Sequence, residues 1–267
     1  MALLRRLRNF FTNKITKPSS APMAILPAME SEISALKEVV EARQSAVLVA
    51  PAGCGKTVAL RALKDCLPAA RYSVYYLKLS NLSARDMCRQ VAQALGLIPQ
   101  GQFPALAMAL EDRLRRGYED QGLRQVLIFD DAQDMRTEAV RLLRLLTNFE
   151  MDSRLIVSII LSGQLALKQH ILTPELEDVR QRLSYCAELR LLSREDTFAY
   201  LDHRVKIAGL ATSPFTDAAK EAIFEITRGN MRAIDKLALA SLKKVAHLRR
   251  DKVEGSDVAI VRGEQWM

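Results

Sequence analysis

"APAGCGKT" (residues 50–57) differs by one residue from the phosphate-loop spelling GxxxxGK[ST]: Ala50 stands where the first glycine belongs, and Cys54 sits inside the loop. Such a loop needs backbone N–H groups aimed inward at a helix start, a lysine for the β and γ phosphates, and a hydroxyl for magnesium. Gly53, Gly55, Lys56 and Thr57 supply them, within a stretch that runs from Pro51 and Ala52 through Cys54 to Val58. The first glycine mainly eases the turn out of a strand, so Ala50 is acceptable if its φ is negative. Cys54 is expected to turn its side chain away while its N–H still faces phosphate.

The flanking sequence provides the context that such a motif requires. "SAVLVA" (45–50) reads as a short buried strand, and Val58–Leu67 as a helix stopped by Pro68. Upstream, Glu30–Arg43 has helical spacing, and "KPSSAPMAILP" before it reads as an extended connector. Downstream, "YSVYYLKL" (72–79), "QVLIF" (125–129), "LIVSIIL" (155–161) and "AELRL" (187–191) read as strands separated by helical pattern. Alternation of this kind predicts an α/β fold, a parallel sheet with helices on both faces. From Ser193 onward only helical pattern remains. The expected division is a basic extension over 1–22, a nucleotide-binding α/β domain over 23–192, and a small α-helical lid with the C-terminal tail over 193–267.

A phosphate loop needs a second half, an acid at the end of a neighbouring strand for magnesium and a carboxylate to orient water. "VLIFDDAQD" (126–134) offers Asp130 for the ion and Asp131 for the water. Asp131 is one methylene shorter than the usual glutamate, which withdraws the carboxylate by ~1.5 Å. Slow hydrolysis is the expected consequence.

The chain has 267 residues, 49% hydrophobic and 26% charged, as suits a folded protein with a full core. Its net charge of +8 favours nucleic acid, anionic lipid or an acidic partner. Cys54, Cys66, Cys88 and Cys186 form no CxxC pair, which suits a reducing cytoplasm better than a disulfide framework or a zinc knuckle, and His170, His203 and His247 sit far apart and read as incidental helix or loop residues. The apolar runs are strand-length, far short of the ~20 residues of a membrane span. "MALLRRLRNFFTNKITK" is basic and amphipathic; it fits a transit peptide, a membrane-surface helix, a contact to nucleic acid or protein, or a frayed terminus.

The order of "GCGKT", "VLIFDDAQD", "LRLLTNFE", "LSGQ", "VRQRLSYCAELRLLSREDTFAYLDHRVKIAG" and "ITRGNMRAIDKLALASL" resembles the AAA+ ATPases of the ExeA/TniB/TnsC type, over about Met23–Leu248. That resemblance implies ATP and Mg2+ at subunit junctions of a homo-oligomeric ring or helical filament. It puts Ser162 and Gln164 where a sensor-1 strand ends, Arg182 where an arginine finger reaches a neighbour's nucleotide, and Arg232 at the lid's sensor-2 position. Members of the group follow two trades. Secretion-type proteins carry a membrane helix and a cell-wall-binding domain after the ATPase; transposition-type proteins coat target DNA and recruit a transposase. The basic balance and the lack of a span after the lid favour a cytoplasmic protein of the second kind, with double-stranded DNA and a transposase as partners. By the same resemblance Lys78, Arg85 and Gln102 become candidate DNA contacts, with Arg89 and Lys17 behind them. An envelope-assembly ATPase and a nucleotide-gated signalling switch remain the alternatives.

Overall fold

The structure, a computed structural model, describes residues 27–78, 83–99, 101–120, 122–147 and 156–264. The basic N-terminal stretch, including Lys17, and the end of "LRLLTNFE" lie outside them.

Five parallel strands form one sheet in the order β2-β3-β4-β1-β5: β1 (Ser45–Val49), β2 (Tyr72–Lys78), β3 (Arg124–Asp130), β4 (Val157–Gly163) and β5 (Leu183–Glu188). β1 and β4 are buried throughout, as expected of inner strands of a sheet covered on both faces. α1 (Pro27–Glu41) precedes β1, and α2 (Lys56–Cys66) follows it. α3 (Ala84–Ala94) and α4 (Phe103–Glu119) bridge β2 to β3; α5 (Thr137–Thr147) bridges β3 to β4; α6 (Leu165–Ile171) and the short α7 (Glu177–Arg180) lead to β5. Leu77, Met87, Leu110, Leu127, Phe129, Val140 and Leu161 belong to a single buried cluster that joins β2–β4 to the helices over them.

Two strands differ from the sequence expectation, each for a physical reason. β5 begins at Leu183, four residues earlier than read, and pairs along β1 from Ser45 to Val49. It is an edge strand whose Ser184, Cys186 and Glu188 are exposed, so the apolar run that marks an inner strand is missing. β4 runs on through Ser162 and Gly163 because Leu48 and Val49 supply their partners.

The chain divides into two compact units, one of Met29–Ala52 with Lys56–Leu189, the other of Arg190 onward with Gly53–Gly55. The second unit holds α8 (Arg194–Ile207), α9 (Asp217–Thr227), α10 (Met231–His247) and α11 (Gly255–Glu264). Polar side chains start three of these helices. Ser193 accepts from the Asp196 N–H at 3.0 Å, Thr216 from Ala219 at 3.2 Å and Asn230 from Ala233 at 3.1 Å, each cap contributing about 1 kcal/mol. α9 ends on Arg228, left-handed at φ 49°, followed by Gly229 at φ 77°. α9 packs against α10, and Ile223 of the first and Ile234, Leu237 and Leu242 of the second are buried.

Candidate active site

β1 delivers the chain to the phosphate loop, and the loop turns through two left-handed glycines. Gly53 has φ 84° and Gly55 φ 87°, a region L side chains rarely enter. Ala50 is absent from the positive-φ residues, so the turn proceeds without the missing first glycine; its N–H donates to the Gly163 carbonyl at 3.1 Å. Cys54 is 1% exposed, its side chain directed inward as the loop chemistry requires. α2 starts at Lys56, two residues before the apolar pattern at Val58 suggested, which places Lys56 and Thr57 in its first turn. The Lys56 ammonium donates to the carbonyls of Ala50 at 3.1 Å and Pro51 at 3.3 Å, which holds the positive charge over the loop.

Within the second unit, the Arg232 N–H donates to the Gly53 carbonyl at 3.2 Å. A Cβ added to Gly53 would stand 2.4 Å from the Asn230 amide oxygen. Glycine suits that backbone angle, and a side chain there would also displace the Asn230 amide.

Asp130 ends β3 and is 3% exposed. Four donors meet its carboxylate. Oδ1 accepts from the Ser162 hydroxyl at 3.0 Å and from the Asp131 N–H at 3.0 Å. Oδ2 accepts from the Tyr76 hydroxyl at 2.6 Å and from the Thr57 hydroxyl at 3.3 Å. The sheet order explains the convergence, since β2, β3 and β4 are consecutive and Lys78 lies in register with Asp130. Burial, then the Asp130 hydrogen bond and the charges of Asp130 and Asp131, push the Tyr76 phenol well above its ordinary range, against the opposing charge of Arg61.

Asp131 follows in left-handed backbone, φ 58° and ψ 33°. Its carboxylate lies 3.4 Å from the Lys78 ammonium, so Lys78, a candidate for DNA, is paired with Asp131 beside the end of β3. Gln164 starts α6; its N–H donates to the Gln133 side-chain oxygen at 3.0 Å. The structure thus brings Lys56, Thr57, Asp130, Asp131 and Ser162 to the ends of β1, β3 and β4, with Gln164 one residue beyond. Arg182 lies apart, just before β5, its N–H donating to the Val179 carbonyl at 3.0 Å. Arg232 is exposed in the first turn of α10. Arg85 in the first turn of α3 and Gln102 at the start of α4 are exposed, and Arg89 pairs with Asp86 at 3.7 Å.

Two residues of this site escaped the sequence reading. In sequence Tyr76 looks like one more residue of a strand; its signal is a polar tip near the carboxyl end of that strand, where sites form in parallel sheets. Gln133 sits inside the quoted acidic motif, but only the distance to Gln164 gives it a role.

The residues fit ATP with a magnesium ion. Thr57 and Asp130 present hard oxygens 3.3 Å apart, as that ion prefers; the glycine turn leads straight into a helix start, which favours phosphate; Lys56 adds the cation. Among the described residues no group of three or more His, Cys, Asp and Glu is placed to hold a metal, none of the four cysteines forms a disulfide, and no helix is long and apolar enough to cross a membrane.

A model of the AAA domain matches residues 39–171. The general secretion pathway protein A of Aeromonas hydrophila is 28% identical over 225 residues, 82% of this chain; the chain spans only 40% of that protein's length. Among solved structures, Cdc6p of Pyrobaculum aerophilum superimposes with a TM-score of 0.72 at 19% identity, covering 96% of this chain and 70% of that one. The ORC1 protein of Aeropyrum pernix in complex with DNA gives 0.70 at 17%, covering 96% and 69%. The RuvB branch migration motor of Thermotoga maritima gives 0.56 at 16%, covering 87% and 67%. The strand order, the phosphate loop and the acid at the end of β3 agree with the family match: the chain carries an AAA ATPase domain over residues 39–171.

Proposed function

We propose that the chain uses ATP to assemble on double-stranded DNA and there recruits or regulates a transposase. The observation that carries this reading is the basic balance of +8 joined to exposed Arg85 and Gln102 at two helix starts after β2. Helix N-termini favour phosphate, and Gln102 makes no capping bond with its own side chain, which leaves its amide to outside partners. Support of a weaker kind comes from fold neighbours described in complex with DNA.

ATP would lie on the loop from Pro51 to Val58, Lys56 meeting its β and γ phosphates and Thr57 with Asp130 holding magnesium. Bound magnesium supplies positive charge to the phosphoryl oxygens. Asp131 would orient the attacking water, Ser162 and Gln164 would fix the far side, and Arg182 of one subunit would complete the site of the next. Arg232 would serve the same nucleotide from its place beside Gly53.

A second reading, an assembly ATPase of a secretion or envelope machine, is favoured by the secretion relative from Aeromonas. The decisive measurement is ATP turnover with and without a random duplex, beside anisotropy on labelled duplex across a salt series. DNA coating predicts stimulated turnover, tighter binding with ATP than with ADP, and an affinity that falls with salt by a slope of about 0.9 per neutralised phosphate. Binding that ignores nucleotide and salt, or no binding, refutes it.

A further inference from the structure

Asp130 carries more hydrogen-bond donors than a metal-holding carboxylate needs. An ionised carboxylate offers about four acceptor positions, and Ser162, the Asp131 N–H, Thr57 and Tyr76 take one each. Three of these are compatible with magnesium. Ser162 and the Asp131 N–H use the other oxygen, and Thr57 can keep its proton on Oδ2 while its own lone pair faces the ion. Tyr76 is the exception: its phenol is the shortest of the four contacts at 2.6 Å, and it shares Oδ2 with Thr57. A water on the ion would seek that same oxygen, because Oδ2 is the side of the carboxylate turned to Thr57.

We infer that Tyr76 competes with metal-bound water for Asp130 Oδ2 and thereby sets the divalent-ion affinity of the nucleotide site. A hydrogen bond to a buried charge is among the stronger ones, so its loss should be felt. Tyr76 is well placed to give way. It stands on the edge strand β2 and is 43% exposed, so its hydroxyl can turn to solvent without leaving a cavity. The inference concerns the ATPase site alone and is independent of the partner the chain serves.

The test is Tyr76→Phe, which keeps the ring and removes the hydroxyl. Binding of a fluorescent ATP analogue to the full chain is followed while Mg2+ is raised from an EDTA-buffered zero, and bound Mn2+ is counted by electron paramagnetic resonance. The magnesium needed for half-saturation should fall on the order of tenfold, with tighter Mn2+ binding, while affinity for the analogue in EDTA stays unchanged. The variant should also melt earlier than wild type in EDTA, having lost a donor to a buried carboxylate, and the gap should close once magnesium and nucleotide are present. An unchanged half-saturation, or a raised one, overturns the inference; the raised value would make Tyr76 a support of the metal site.

Discussion

Asp131 shows how one residue's backbone and side chain can be bound to a single role. Its φ of 58° suits aspartate and asparagine better than most residues, and its short carboxylate is engaged by Lys78 at 3.4 Å. Asp131→Asn keeps the backbone preference and the shape but loses the charge that, in the proposed role, would polarise water. ATP affinity should persist and turnover should vanish in a single-turnover assay. Asp131→Glu restores the reach, at a cost of roughly 1 kcal/mol for a longer side chain in left-handed backbone. Turnover should rise several-fold while the melting temperature drops slightly, and equal rates in all three forms would remove Asp131 from the water-orienting role.

Among the elements, the join before the C-terminal helices depends on one close approach. The Leu192 N–H donates to the Gly229 carbonyl at 3.0 Å, and a Cβ on Gly229 would stand 2.0 Å from the Leu192 carbonyl oxygen. Gly229 also has φ 77°, so alanine would meet both backbone strain and a clash with main chain that has no flexible end to move. Gly229→Ala should destabilise the protein by about 3 kcal/mol or more, read as a lowered denaturation midpoint. Gly122, left-handed at φ 65° with nothing near its would-be Cβ, is the control. Gly122→Ala pays only the backbone term and should cost about 1 kcal/mol.

For the molecule as a whole, the testable matter is whether active sites are shared. Arg182 stands before β5, away from the cluster around Asp130, as a residue serving a neighbouring subunit would. Arg182→Ala should lose ATPase activity and keep nucleotide binding. Mixed with Asp131→Asn, it should regain part of the activity, because some junctions then join an intact carboxylate to an intact arginine. Titrating one variant into the other at fixed total protein gives the measurement, and no rescue at any ratio rules out sharing. Two distances at the site, Lys78 to Asp131 and Gln133 to Gln164, need no neighbour and should persist in every assembly state.

What the chain's order of residues determined by itself was everything contiguous. The phosphate loop, the paired aspartates and the alternation of strand and helix are local patterns, readable because hydrogen-bond geometry and burial repeat with fixed periods along the chain. Three of the C-terminal helices announce themselves the same way, through Ser193, Thr216 and Asn230 at their starts. Only the tertiary structure decided which distant residues share a site. Tyr76 reaches Asp130 across 54 residues and Gln164 meets Gln133 across 31, because parallel pairing of β2 with β3 and of β3 with β4 sets side by side the carboxyl ends of strands that long helical crossovers separate in the chain. The fifth strand lies four residues before its expected start because an edge strand takes its pairing from β1, and pairing with a remote partner leaves no period of its own in the sequence.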